Sequence, residues 1–120
     1  MSTPCIIAVK TDKGYLASYC HFDGYTDYMY PMLTENYNTF ERAFDLVSLG
    51  DASSISERMV PSRDSGHCFN KPEEGVCVFY HRDRGEPWDW VKPALYSTLE
   101  KFKQLQSYVY VFENDRWEEI

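Results

Sequence analysis

The sequence predicts an α+β fold: a single domain over residues 1–120, with one antiparallel or mixed sheet of about five strands and about three helices packed mainly on one face. A chain of 120 residues has the length of one ordinary domain. Apolar segments typical of strands occur as neighbours joined by short turns, and helical patterns are gathered between them. The regular β-α-β alternation and Gly-rich first turn of a doubly wound nucleotide fold are missing, which excludes that class.

The first two predicted strands form a hairpin. Residues 5–9 (Cys-Ile-Ile-Ala-Val) are apolar and β-branched, which is typical of a central strand. A turn over residues 11–14 follows, with Gly14 placed for a left-handed position. Residues 15–22 alternate large and small side chains and complete the hairpin, and Asp23-Gly24 ends the second strand.

Two helices are predicted next. Asp27 is suited to cap a helix that runs to about residue 37, with Pro31 at the edge of its first turn, where a missing N–H costs least. Asn38 and Glu41 form a capping box for the second helix, which ends at Gly50. The apolar stripes expected on these two helices are Met29, Met32 and Leu33 on the first, and Phe40, Ala43, Phe44 and Val47 on the second.

The middle of the chain is predicted to be mostly loop. Residues 54–57 (Ser-Ile-Ser-Glu) resemble a capping box that opens one short helical turn, closed by Pro61. Residues 61–75 are polar and contain two Pro and two Gly, which is typical of a long loop of functional or mobile character. Residues 76–80 then form a strand, and residues 81–86 leave it as a charged turn.

The last third of the chain predicts a helix and a second hairpin. The helix begins at Pro93 or Ser97, where Ser97 and Glu100 form a capping box. Its apolar stripe consists of Leu95, Leu99 and Phe102. Residues 108–112 alternate as a strand, and the turn at residues 114–115 (Asn-Asp) leads into a short final strand around Trp117.

The charge of the chain limits its partners. Nineteen Asp and Glu against twelve Lys and Arg give a formal charge of −7 and a pI near 4.8. Direct binding to nucleic acid or to an anionic membrane is disfavoured, because phosphate neutralisation requires a basic face. The same negative field attracts a basic protein surface and speeds encounter with it at low salt.

The sequence predicts a cytoplasmic protein without cofactor or metal. No apolar run reaches ten residues, and the start Met-Ser-Thr-Pro lacks the basic segment of a signal peptide. The four cysteines form no C-x-x-C pair, and the histidines match no local ligand spacing. Three of the cysteines (Cys5, Cys20, Cys77) lie in strand-like segments, where a free thiol behaves as a small buried hydrophobe.

An acidic, Tyr-rich region over about residues 23–45 is the leading candidate for partner binding. Tyrosine is favoured at protein interfaces because its rigid ring buries a large area at low entropic cost. Some of these rings are also expected in the core. The residues predicted to contact a partner are Asp23, Tyr25, Asp27, Tyr28, Tyr30, Glu35, Tyr37 and Glu41.

A polar site for a small ligand or for catalysis is the alternative, at strand ends and loops where such sites usually form. Its candidate residues are His21, Asp23, His67, His81, Arg82, Asp83 and Arg84. Two arginines that flank a carboxylate are able to hold an anion. Asp83 is equally able to neutralise both arginines and fasten the strand end to the loop of residues 61–75.

Four segments in order resemble a family of small bacteriophage and prophage proteins of about this length. They are YCHFDGY (residues 19–25), LGDxSS (49–54), GVxVxYxRDRGE (75–86) and YVYVF (108–112), where x is a position that does not contribute, and the last is followed by Trp117. Together they cover nearly the whole chain. The resemblance implies a phage accessory protein made in the bacterial cytoplasm, and it brings no activity, cofactor or catalytic residue with it.

Together these observations lead to the hypothesis that the chain is a non-enzymatic phage protein. It is expected to bind a host or phage protein through its acidic Tyr-rich surface, for host takeover or as a counter-defence inhibitor. The first alternative is a small-ligand-binding or catalytic domain with the His/Asp/Arg site. The second is a virion or assembly component.

Overall fold

A seven-stranded mixed sheet forms the centre of the molecule. The computed structural model describes residues 2–120. Six strands follow the order β4-β3-β2-β1-β6-β7, and β5 pairs separately with β2. The strands are β1 (Cys5–Thr11), β2 (Gly14–Cys20), β3 (Ala52–Ser54), β4 (Val78–Phe79), β5 (Ala94–Tyr96), β6 (Val109–Glu113) and β7 (Arg116–Glu119).

Five helices occur within residues 2–120: α1 (Thr26–Asn36), α2 (Phe40–Ser48), α3 (Tyr80–Arg84), α4 (Trp88–Val91) and α5 (Glu100–Leu105). The predicted α+β class and mixed sheet are therefore confirmed, whereas the expected counts of five strands and three helices were too low. None of the helices in this part of the chain has the length and apolar character needed to cross a membrane.

Two hairpins build the sheet from both ends of the chain. β1 pairs antiparallel with β2 through a two-residue turn between Thr11 and Gly14. β6 pairs antiparallel with β7, and Asn114 and Asp115 between them have φ of 57° and 62°, as a type I′ turn requires. The hairpins join through parallel pairing of β1 with β6, which is a contact between the two ends of the chain.

The two faces of the sheet are covered by different elements. Alternate residues of β1 point to opposite faces, so Ile7 lies in the larger cluster and Ala8 in the smaller one. α1 and α2 supply the larger cluster with residues such as Leu33 and Leu46. The smaller cluster is closed by Phe102 from α5, so the helices are not confined to one face.

The outer edge of β2 is divided between two short strands. β5 pairs antiparallel with Tyr15, Leu16 and Ala17 of β2, and β3 pairs parallel with its last residue, Cys20. Between them, the main-chain N–H of Tyr19 donates to a side chain, the carboxylate of Asp51, at 3.0 Å. A cavity lies at this gap.

The first two helices begin at other residues than the sequence predicted. Tyr25 caps α1 without a side-chain hydrogen bond, Asp27 lies in the first turn, and Pro31 is inside the helix. Thr39 caps α2, and its hydroxyl accepts from the N–H of Arg42. The buried side of α2 consists of Ala43, Leu46 and Val47, whereas Phe40 and Phe44 are exposed and stack with ring centroids 5.7 Å apart.

Three further expectations were wrong in detail. Residues 52–54 form β3, so no helical turn starts at residue 54. The strand predicted over residues 76–80 is only β4, because Tyr80 already begins α3, and the charged segment that follows is helical rather than a turn. α5 begins after Leu99 without the Ser97 capping box, and Leu95 lies on β5.

Candidate functional site

His67, Arg82 and Asp83 of the predicted polar site meet beside β4. The Nε2 atom of His67 lies 3.2 Å from Oδ2 of Asp83, which is an ion-pair distance rather than a well-aligned hydrogen bond. Both side chains are almost fully buried, with exposed fractions of 2% and 4%. The long loop thus places an imidazole against a carboxylate on α3.

Both ring nitrogens of His67 face groups of the protein. The main-chain N–H of Glu73 donates to its Nδ1 at 2.9 Å, so Nδ1 carries no proton and the ring hydrogen is on Nε2, facing Asp83. A general base needs an unprotonated nitrogen within reach of a substrate. In this arrangement the unprotonated nitrogen of His67 is bonded to the backbone, so the ring holds the loop.

Arg82 and Asp83 connect the loop to the sheet. Arg82 donates to the carbonyl of Cys77 at 2.9 Å, to the carbonyl of Met59, and to both oxygens of Asp83. Asp83 also accepts from the N–H of Phe79 at 2.8 Å. Burial by itself raises the pKa of Asp83, but the hydrogen bonds with Arg82 and Phe79 outweigh it and leave the pKa below its usual value.

The side chains of the other members of the predicted polar site make no hydrogen bond or ion pair with this cluster within residues 2–120. His21 shares a 2.7 Å hydrogen bond with the Tyr19 hydroxyl. His81 bonds the carbonyl of Glu86 through Nδ1, and Arg84 pairs with the Glu86 carboxylate at 3.2 Å. No hydrogen bond, ion pair or ring contact joins two of the three histidines within residues 2–120.

The described residues also hold no group of three or more His, Cys, Asp or Glu arranged to bind a metal ion. Of the four thiols, Cys5, Cys20 and Cys77 are buried as expected, and Cys68 is exposed in the loop.

The tyrosines of the predicted acidic surface divide between core and solvent. Tyr37 is fully buried, and its hydroxyl donates to the carbonyl of Ser56 at 2.5 Å, so its side chain is not part of the surface. Tyr28 is half-buried and donates to a main-chain carbonyl at 2.7 Å. Tyr25 and Tyr30 expose 40% and 37% of their area and lie where a partner is able to reach them.

The carboxylates of the acidic region over residues 23–45 are exposed, and β7 contributes two further carboxylates, Glu118 and Glu119, to the same surface. Asp23, Asp27, Glu35 and Glu41 all face solvent. β7 packs beside α1, where the Thr26 hydroxyl donates to Glu119 at 2.9 Å. A cleft of about 400 Å³ is lined by Thr26, Tyr30, Glu118 and Glu119. The contribution of β7 to this surface was missed because nothing local in the sequence joins residue 26 to residue 119.

A further carboxylate was missed by the sequence reasoning. Asp51 lines a cavity of about 300 Å³ on the α5 side of the sheet, together with Tyr19, Lys92 and Tyr96. Burial raises the pKa of Asp51, partly offset by the N–H of Tyr19. The only local feature that could have pointed to Asp51 is its position directly after Gly50, which ends the predicted second helix. A residue at this position lies in the loop that leads from the helix to the sheet.

Comparison of the chain with protein-family models, with curated proteins and with solved structures found no match. The protein is a single-domain α+β protein with a mixed sheet, an acidic cleft between α1 and β7, and a separate cavity at Asp51.

Proposed function

We propose that this chain is a non-enzymatic phage accessory protein that acts in the cytoplasm of the bacterial host, where it binds a host or phage protein through the acidic surface of α1 and β7. The acidic surface is defined by the exposed residues Tyr25, Asp27, Tyr30, Glu35, Glu118 and Glu119. The observation that carries the proposal is the cleft in which the Tyr30 ring lies beside Glu118 and Glu119.

Charge and chemistry define the partner. The only basic residue on β7 is Arg116, which pairs with Glu118 at 2.7 Å. Asp27, Glu35 and Glu119 make no ion pair within residues 2–120 and are uncompensated there. Exposed tyrosines among uncompensated carboxylates match a basic protein surface, because each ring is able to cover an aliphatic stem or stack on a guanidinium while a carboxylate pairs with the charge. A groove that normally holds nucleic acid has this chemistry.

The test is a matched pair of charge-reversed proteins. The first carries Lys in place of Asp27, Glu35 and Glu119. The control carries Lys in place of Asp12, Glu74 and Asp89, which are also exposed but lie elsewhere. Both change the net charge from −7 to −1, since each replacement adds two charges and three are made. Asp23 is left unchanged because its φ of 61° disfavours a lysine.

Each protein is immobilised, and partners captured from host lysate are identified and then titrated in purified form. We expect the wild type and the control to bind the same partner in a salt-sensitive way, and the α1/β7 variant to bind at least tenfold more weakly. Electrostatic steering predicts that most of the salt dependence lies in the association rate. Equal affinity of the two variants, or binding that is insensitive to salt, refutes the proposal.

A further inference from the structure

The cavity at Asp51 results from the way that β2 is paired. β5 pairs with β2 up to Ala17, and β3 pairs with β2 only at Cys20. The backbone of the two residues between these positions, Ser18 and Tyr19, therefore has no strand partner on that edge. The opening, of about 300 Å³, is bordered by these strands and by Leu105 and Gln106 at the end of α5. This is the small end of the range typical of small-molecule sites.

Three hydrogen bonds hold Asp51 rigidly at the border of this cavity. Its Oδ1 accepts from the N–H of Tyr19 at 3.0 Å. Its own N–H donates to the carbonyl of Val91 at 2.8 Å, and its carbonyl accepts from the N–H of Tyr80 at 3.2 Å. The carboxylate is therefore positioned before any ligand arrives, which lowers the entropic cost of binding.

No cation of the described chain neutralises Asp51. Its Oδ2 has no hydrogen-bond partner within residues 2–120, and no Lys, Arg or His there lies within ion-pair distance. Lys92 lines the same cavity, but its Nζ lies near Asp89, at 3.4 Å. A partly buried carboxylate without a counter-charge is destabilising, and such groups are concentrated at functional sites.

Most of the remaining wall of the cavity is suited to an apolar or aromatic body, although Ser18 and Gln106 also line it. Ile6, Ala17 and Leu105 provide aliphatic walls, and the rings of Tyr19 and Tyr96 stand beside them. In such surroundings the pairing of a cation with the carboxylate is stronger than in open water, because less solvent screens the charges.

We propose that this cavity binds a small organic cation, an ammonium or guanidinium group on a short apolar body, with Asp51 as its counter-ion. Two sources have this chemistry: a free amine or guanidine, and the end of a Lys or Arg side chain of a partner protein. The site is independent of the acidic surface, since Ile6 and Ala17 belong to the cluster on the opposite face of the sheet from α1.

The test is an NMR titration of the 15N-labelled protein with butylguanidinium, with the blocked tripeptide acetyl-Ala-Arg-Ala-amide, and with neutral pentanol as control. We expect both cations to shift the Tyr19 amide signal saturably and pentanol to leave it unchanged. Tighter binding of the tripeptide identifies a partner side chain as the source, and tighter binding of butylguanidinium identifies a free ligand. Absence of a saturable shift with either cation up to tens of millimolar overturns the proposal.

Asp51→Asn keeps an oxygen for the Tyr19 N–H but removes the charge, so we expect at least a tenfold loss of affinity for the cations. Asp45→Asn, which removes an exposed carboxylate on α2, on the opposite side of the sheet, is the matched control and should bind as the wild type does. Equal binding by Asp51→Asn overturns the proposal.

The same variant has a stability readout. Because burial raises the pKa of Asp51, the folded state holds the proton more tightly than the unfolded state, and stability decreases as the pH rises through the raised pKa. Asp51→Asn should therefore melt at a higher temperature than the wild type at pH 7. If it fails to fold, Ala94→Phe serves instead: position 94 is exposed at the cavity mouth, and an aromatic ring there should abolish cation binding while the carboxylate stays in place. Unchanged binding by Ala94→Phe overturns the proposal.

Discussion

Replacing Asp83 by Ala removes the centre of the cluster that fastens the long loop to β4. Two donors, the Phe79 N–H and the Arg82 guanidinium, lose this acceptor, and the His67 ring loses the carboxylate that it faces. Loss of one partner from a buried ion pair costs about 3–5 kcal/mol. Arg82 keeps a quarter of its side chain in water and recovers part of this through solvation, so we expect a loss of about 3 kcal/mol in the free energy of unfolding.

This loss is measurable as a change in melting temperature. Unfolding entropy is roughly 2.1 cal/mol/K per residue, so a chain of 120 residues has about 0.25 kcal/mol/K, and about 3 kcal/mol corresponds to roughly 12 °C. Thermal and urea unfolding followed by circular dichroism give both values. The control is Asp89→Ala, whose carboxylate is 87% exposed and which should change stability by less than about 0.5 kcal/mol. A loss below about 1 kcal/mol for Asp83→Ala refutes the reasoning.

The loss of stability in Asp83→Ala should depend on pH. The pKa of Asp83 is lowered in the folded state, so its contribution is fully present above the ordinary value of 3.8 and is lost as the pH falls through the lowered pKa. The difference in stability between the wild type and Asp83→Ala should therefore decrease as the pH falls below 3.8. A difference that persists unchanged into this acidic range contradicts the assignment of the stabilisation to the ionised carboxylate.

Two further substitutions test the packing of the sheet. Gly14 has a φ of 128°, and a Cβ there would lie 2.6 Å from the carbonyl oxygen of Tyr96. Gly14→Ala should therefore lower the free energy of unfolding in urea by about 2 kcal/mol. Gly66→Ala, where φ is also positive but the surroundings are open, should lower it by less, and equal losses would exclude the clash as the cause. Trp117→Phe removes a buried indole N–H that donates to a main-chain carbonyl at 2.8 Å, and it should lower the free energy of unfolding by about 3 kcal/mol. Trp90→Phe, at a residue that is 76% exposed, should lower it by less than about 0.5 kcal/mol. Similar losses for the two variants would contradict the burial argument.

The elements that the sequence predicted correctly are those defined by neighbouring residues. The Thr11–Gly14 turn and the Asn114-Asp115 turn contain residues that tolerate positive φ between alternating apolar segments, and both hairpins form there. The burial of Met29, Leu33 and Phe102 was likewise predicted, since helical periodicity identifies an apolar stripe without knowledge of its partner.

The elements that it missed depend on distant partners. β3 and β5 have three residues each and form by pairing with strands that are distant in the sequence, β3 with β2 and β4 and β5 with β2, which no local pattern reports. The stripe of α2 was assigned partly to the wrong side, because Phe40 and Phe44 satisfy the helical period as well as Leu46 does. Only the orientation of α2 on the sheet decides which of these side chains is covered.

The sequence alone determined the composition of the candidate surfaces, their negative charge and the class of fold, because these follow from counts and short-range periodicity. Tertiary packing decided their accessibility: it buried Tyr37, left Tyr30 exposed beside Glu119, and placed Asp51 at a gap between two strands. The physical reason is that solvent exposure and the absence of a counter-charge are properties of space around a side chain. That space is bounded by residues far away along the chain.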